Sequence, residues 1–317
     1  YGNGVPLSMG LLACNSVYTE ERPEAHLHTV NLCGGRERTV DMVSVEQNQG
    51  VPYALQRLYE MARDANQDVP ANEHVIVYLH DDVFVFEKGW DERLLAAFAD
   101  PRVELAGFLG AIGLGFEAIY NIPYESHHVS RYGGMSNLVN AQAHGERVTD
   151  NRPAVFVDGL CMAIRRSALD DIGGWTWWPN DVPHYGYDYG MSCMVRRHGG
   201  RCVLVPVECQ HGVETGGGLT SGTTTDGPHK ATMERFGGDS TVYQAAQKFV
   251  YESFRDVLPL RLSEEEFQAF ARSLASLSRT ELFRAFTFLT GVDRRRAAAV
   301  LVAGDADPAL IAEAVAS

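Results

Sequence analysis

No apolar run in this chain approaches the roughly 20 residues that a membrane-spanning helix needs, so no membrane span is expected. Positive charge is also scarce: Lys and Arg number 27 against 41 Asp and Glu, giving a formal net charge of -14. A phosphate backbone would be repelled on average, and nucleic acid is not expected as a partner. No two cysteines are spaced C-x-x-C. Cys14, Cys33, Cys161, Cys193, Cys202 and Cys209 are scattered, which disfavours zinc and redox frameworks and points to free thiols in a reducing cytoplasm. No basic-then-apolar leader is visible, and the protein is expected to be cytoplasmic. There is no phosphate-loop motif and no internal repeat. The segment Gly110-x-x-Gly113-x-Gly115 reverses the spacing of a dinucleotide-binding turn.

What is present is core material. With 317 residues, 45% hydrophobic and 21% charged, the chain can bury one large domain and carry an appendage. Short apolar runs at 9–14 and 39–45 read as strands, and the spacing of Tyr53, Leu55, Leu58, Tyr59 and Met61 predicts a helix from 52 to 65. The unbroken apolar run 74–79 reads as a strand covered on both faces, ending at His80-Asp81-Asp82-Val83. Polar residues that follow such a strand lie at the sheet's carboxyl edge, where open α/β sheets bind ligands. A helix is expected over 90–99 and a strand over 103–109. Residues 110–152 show no period and read as a long irregular insertion. Strands follow at 154–157, 160–164 and 202–207, with a helix at 187–198. The glycine-rich stretch 214–227 reads as a loop. From Ser263-x-x-Glu266, a capping-box start, two or three amphipathic helices are expected, broken at Gly291 and Gly304. The expected division is a catalytic domain over 1–250 and a helical element over 251–317. The helical element's apolar positions Phe267, Phe270, Leu274, Leu282, Phe283, Phe286 and Leu289 imply packing on the main domain or a homodimer contact.

Four groups of residues carry candidate chemistry. Asp81 and Asp82 at a strand end could hold a hard cation, Mg²⁺ or Mn²⁺, although an exposed turn accounts for paired aspartates about as well. Asp158 in Val157-Asp-Gly-Leu160 could face a sugar or acceptor hydroxyl, with Gly159 allowing close backbone approach; an ordinary turn is the simpler reading. Asp188, after the aromatics of His184-Tyr-Gly-Tyr187, either caps a helix or serves as a general base beside a platform formed by Tyr185 and Tyr187. His211 follows a strand and could ligate a metal.

The ordered set Asn15-Ser16, Asn48-x-Gly50, His80-Asp-Asp-Val83, Val157-Asp-Gly159 with Arg165-Arg-Ser167, Tyr185-Gly-Tyr-Asp188 and Gln210-His211 resembles the GT-A glycosyltransferases of family 2. It is most similar to the branch whose acidic motif reads His-x-Asp-Val, and the likeness spans about residues 8 to 215. The resemblance implies an α/β fold, a mainly parallel sheet flanked by helices, with the C-terminal helices added. It implies an inverting transferase that uses a divalent cation and a nucleotide-diphosphate sugar. Residue by residue, it makes Asp82 and His211 the metal ligands and Asp188 the base. Asp158 falls near the donor sugar or acceptor. Asn15, Ser16, Glu46, Asn48, His80 and Asp81 fall on the nucleotide side. His80 stands where many relatives carry an acid, and Tyr187 stands where they carry Glu. The alternatives are a nucleotidyltransferase on a similar fold and a non-catalytic sugar-nucleotide-binding or assembly protein.

Overall fold

The computed structural model describes residues 50–80, 83–115, 129–138, 145–211 and 234–316, together with the backbone of two strands at 8–15 and 40–42. In chain order the elements are β1 (Ser8–Asn15), β2 (Val40–Met42), α1 (Val51–Ala65), β3 (His74–His80), β4 (Val83–Val85), α2 (Trp90–Ala96), β5 (Val103–Gly107), β6 (Leu109–Gly115) and β7 (Ser130–Ser136). After these come β8 (Arg152–Ala154), β9 (Phe156–Val157), β10 (Cys161–Arg165), α3 (Arg166–Ile172), α4 (Tyr187–Arg197), β11 (Arg201–Leu204) and β12 (Cys209–His211). The last are α5 (Asp239–Ser253), β13 (Leu260–Arg261), α6 (Glu264–Ser273), α7 (Arg279–Thr287), α8 (Gly291–Ala303) and α9 (Pro308–Ala316).

The main sheet has the order β2-β1-β3-β10-β5-β11-β8. β1 pairs in parallel with β2 and β3, and β5 with β11, while β10 and β8 run against their neighbours. The sheet is therefore mainly parallel in direction, as expected, with an antiparallel strand at its centre. Period-2 alternation divides the interior into two cores. Ile76 and Tyr78 of β3 and Met162 and Ile164 of β10 face a core shared with α1, α3 and α4. Val75, Val77 and Leu79, with Cys161 and Ala163, face a second core closed by α2, β4 and β12. This two-sided burial is the reason 74–79 reads as one apolar run.

The segment 110–152 is not wholly irregular. It contains β6 and β7, which form a second, antiparallel sheet with β9 and β13. Its glycines hide the strand period: at Gly113 a Cβ would overlap the Tyr132 ring lying across it. The C-terminal part holds four α-helices where two or three were expected. Phe267, Phe270, Leu274, Leu282, Phe286 and Leu289 are buried in the same core as α4 and β8–β10. Both sides of the Ser263/Glu266 capping box are present. Gly291 opens α8 and Gly304 caps it. The boundary expected at residue 250 falls inside α5. No helix among the described residues is long and apolar enough to cross a membrane. Cys161, Cys193, Cys202 and Cys209 are free and buried.

Candidate functional site

The site forms where β3, β9 and β12 end and α4 begins. In the parallel register of β1 and β3, Asn15 pairs with His80, so both stand at the sheet's carboxyl edge. Antiparallel pairing of β4 and β12 sets Val83 opposite His211. The residue next to Asp82 is thus the strand partner of a histidine far along the chain. The Asn15 side chain and Ser16, Glu46, Asn48, Asp81, Asp82 and the 214–227 loop lie outside the described residues, as do His26, His28, His127 and His128.

The two histidines meet directly. His80 Nδ1 lies 3.2 Å from His211 Nε2, and His80 Nε2 lies 2.9 Å from the Tyr187 hydroxyl. Tyr187 is buried. Its ring packs edge-on against Trp175, and its hydroxyl points at His80, so it offers no open ring face for a sugar. Tyr185 remains partly exposed, with φ of 63° followed by 65° at Gly186, two left-handed residues that turn the chain into α4. Its ring stands edge-on to His184 and to Tyr243 of α5. The entry to α1 anchors this turn from behind: Val51 donates its N–H to the Pro183 carbonyl at 2.8 Å.

Asp158 and Asp188, 30 positions apart, are brought together at Gly159. The Gly159 N–H donates to Asp188 Oδ2 at 3.3 Å, and the Tyr189 N–H donates to Asp188 Oδ1 at 2.9 Å. Gly159 has to be glycine for steric reasons, because a Cβ there would collide with the Tyr187 hydroxyl. Asp158 takes Arg131 Nη1 on Oδ2 at 2.7 Å and the Leu160 N–H on Oδ1 at 3.1 Å, the second closing a tight turn between β9 and β10. α4 is tied to β9 by the Ser192 hydroxyl, which accepts the Val157 N–H at 3.2 Å.

The two carboxylates sit in opposed electrostatic settings. Burial pushes Asp188 up to about 7, the neighbouring Asp158 charge adds to this, and the Tyr189 and Gly159 N–H groups and Arg131 only partly offset it. Burial alone would raise Asp158 as well. There it is outweighed by Arg131, the Leu160 N–H and the His211 and His80 rings, which hold Asp158 below the usual carboxylate range. Paired acids whose environments drive them apart are the pattern of acid/base sites. Arg131 was not foreseen from sequence, since it lies in the glycine-rich stretch without a period. The tie between Tyr187 and His80 had no local signal either.

A divalent cation fits the donor types gathered here. Neutral imidazole and carboxylate are its ordinary ligands, and β4–β12 pairing brings the Asp82 neighbour to His211. Among the described residues no three His, Cys, Asp or Glu side chains converge as a complete cage.

Residues 35–234, well over half of the chain, match the family described as "Glycosyltransferase like family". The chain belongs to this family. The match takes in β3, β9, β12, α4 and every described site residue except Asn15. This glycosyltransferase therefore carries the GT-A type of α/β fold that the resemblance implied. Among solved structures it is similar to the mannosyltransferase PcManGT from Pyrobaculum calidifontis in complex with GDP-Man and Mn²⁺, at 15% identity over 97% of this chain and 79% of that one, TM-score 0.41. It is also similar to A197 from STIV, at 12% identity over 65% of this chain and 87% of that one, TM-score 0.39. Comparison with curated proteins finds no match.

Proposed function

We propose that this glycosyltransferase moves a sugar from a nucleotide-diphosphate donor to an acceptor hydroxyl by direct displacement, with inversion at the anomeric carbon and dependence on Mn²⁺ or Mg²⁺. The observation that carries the reading is the pairing of Asp188, raised to about 7, with Asp158, held ionised by Arg131, across the Gly159 backbone. A base poised near the working pH is half deprotonated and still strong enough to take a proton from a hydroxyl. Asp188 fills that role. Its Oδ atoms are fixed by two backbone N–H groups, so its lone pairs are oriented before the acceptor arrives.

Asp158 stays anionic and acts by binding. It accepts a hydroxyl of the donor sugar or the acceptor while Arg131 keeps it from competing for the proton. Asn15, Ser16, Glu46, Asn48, His80 and Asp81 are the residues assigned to nucleotide contacts in this reading. Asp82 and His211 hold the cation, which when bound offsets the diphosphate charge and stabilises the departing nucleotide. In a chain of net charge -14 such local neutralisation matters for any phosphate-bearing substrate. Tyr185, at the rim, shields the acceptor side from water, and water is the competing nucleophile.

The test is a panel of nucleotide sugars incubated with the purified chain, with Mn²⁺ or with chelator, followed by assay of the nucleotide product. Release of a nucleoside diphosphate that requires the cation supports the proposal. Release of pyrophosphate, or turnover indifferent to chelator, overturns it.

A further inference from the structure

Tyr185 takes φ of 63°, in the left-handed region where a bulky residue other than glycine is an outlier. Such strain persists only where the surroundings over-determine it, and it gathers at active sites and ligand clamps. The surroundings here are aromatic. The Tyr185 ring stands edge-on to His184, with centroids 4.5 Å apart, and to Tyr243 of α5 at 5.5 Å. His184 and Tyr185 are partly exposed, and Tyr243 is 38% exposed, so this corner of the site meets solvent. The helix beneath it is firmly seated. Gly186 leaves room for Val250 and Ala246 of α5, Phe249 packs on Trp177 and Trp178, and the buried Gln247 accepts the Val129 N–H at 2.7 Å, just ahead of the strand that carries Arg131. Tyr243 lies one turn before Gln247 on that helix. It also lies close to the two carboxylates. Burial holds the Tyr189 phenol above its ordinary range, Arg131 lowers it, and Asp188, Tyr243 and Asp158 each raise it, so Tyr243 shares one electrostatic neighbourhood with the acid pair.

We propose that Tyr185 and Tyr243 form an acceptor subsite whose occupant is a neutral saccharide, one pyranose ring laid against the two tyrosines so that a hydroxyl reaches Asp188. This rests on the transferase reading above and names the acceptor class. The match is one of surface chemistry. A pyranose has a face of C–H bonds and a rim of hydroxyls, and Tyr and His offer the complement, an apolar body with a polar tip. Two rings at 79° make a corner of one face and one edge, which holds a single sugar ring against sliding. A lipid alcohol would need a continuous apolar channel, whereas this corner is tipped by two phenols and an imidazole. An anionic acceptor would meet the field of a chain of net charge -14. The strained turn sets the Tyr185 ring during folding, so little ordering is left for the moment of binding. α5 also lies beyond residues 35–234, so acceptor recognition comes in part from outside the region matched to the family.

Saturation-transfer NMR with cellobiose, maltose, lactose and mannobiose as probes reads saccharide binding to the full chain in the absence of any donor. The variants are Tyr243→Ala, Tyr243→Phe and Tyr185→Gly, each checked for folding by far-ultraviolet circular dichroism. Glycine adopts positive φ without strain, so Tyr185→Gly removes the ring and relaxes the turn together. The parent should bind at least one of the disaccharides, and Tyr243→Phe, which keeps the ring, should stay close to it. Tyr243→Ala and Tyr185→Gly should each weaken binding about tenfold, the value of a ring face taken out of water. With a nucleotide sugar that the parent turns over, the same two variants should raise the KM of that disaccharide as acceptor by a similar factor, without a matching change in donor Kd. A change in donor Kd in place of the acceptor KM would seat the donor sugar on the tyrosines and overturn the proposal. Failure of the parent to bind any of the four disaccharides, or equal binding by parent and variants, would also overturn it while nucleotide-sugar turnover stands. Saccharide binding that the variants weaken, in a chain that turns over no nucleotide sugar, would overturn the transferase reading itself and the acceptor role with it.

Discussion

The backbone N–H of Gly159 donates to Oδ2 of Asp188, so the residue that follows one aspartate of the site holds the carboxylate of the other. Any movement of the β9–β10 turn is therefore felt at the first turn of α4. The contact also makes the separation of the two acids a property of backbone geometry. Asp158 can remain ionised beside Arg131 while its charge keeps Asp188 elevated.

This coupling gives a pH dependence with a defined sign. Asp188 is active when deprotonated, so kcat/KM should rise with pH through a midpoint near 7, the value to which burial and Asp158 push it. Asp158→Asn removes the neighbouring negative charge, and its acid limb should move to lower pH even as the maximum rate falls. A pH–rate profile of both proteins checks this; an unmoved limb would mean that another group titrates.

Stability should carry the same signature in reverse. Asp188 rises from an ordinary value of 3.8 to about 7, so the folded state binds more protons than the unfolded state between those values. Its contribution is complete below about pH 4 and is lost as pH climbs through about 7. Asp188→Asn should flatten that decline and leave the protein more stable than the parent at neutral pH. Urea denaturation at several pH values reads this directly.

The base-bearing helix is also braced from the C-terminal side. Arg196 of α4 donates to Glu266 of α6 at 2.8 Å, and Glu266 Oε2 at the same time accepts the backbone N–H of the N-cap Ser263 at 2.9 Å. With side-chain exposures of 12% and 3%, this is a buried pair, and removing one partner strands the other charge. Glu266→Ala should cost about 3–5 kcal/mol by that reasoning. Phe270→Ala, which opens a cavity in the shared core, should cost a similar ~3–5 kcal/mol. Truncation after residue 260 should abolish cooperative unfolding, as followed by circular dichroism.

Sequence patterns disclosed what local chemistry dictates. The run 74–79, the helix ending near Ala65 and the Ser263 capping box were legible because burial on two faces, 3.6-residue spacing and a four-residue cap each leave a compact signature. Asp158 and Asp188 could be singled out, but their junction at Gly159 could not, since it depends on β9 and α4 meeting in space. β6 and β7 were missed because their glycines serve close packing, at Gly113 against Tyr132, and erase the apolar alternation. Arg131 lies on that same unread strand. The antiparallel course of β10 was invisible too, because its five residues are buried on both faces whichever way it runs.

The most direct measurement is single-turnover sugar transfer by Asp188→Asn, with donor affinity determined on the same preparation. The substitution keeps the size of the side chain and one oxygen for the Gly159 and Tyr189 N–H groups, so folding and nucleotide affinity should stay near those of the parent. Transfer should fall by about two to four orders of magnitude, the contribution of a positioned base. Transfer at the parent's rate with normal donor binding, or a product that keeps the donor's anomeric configuration, would contradict Asp188 as the base of a direct displacement.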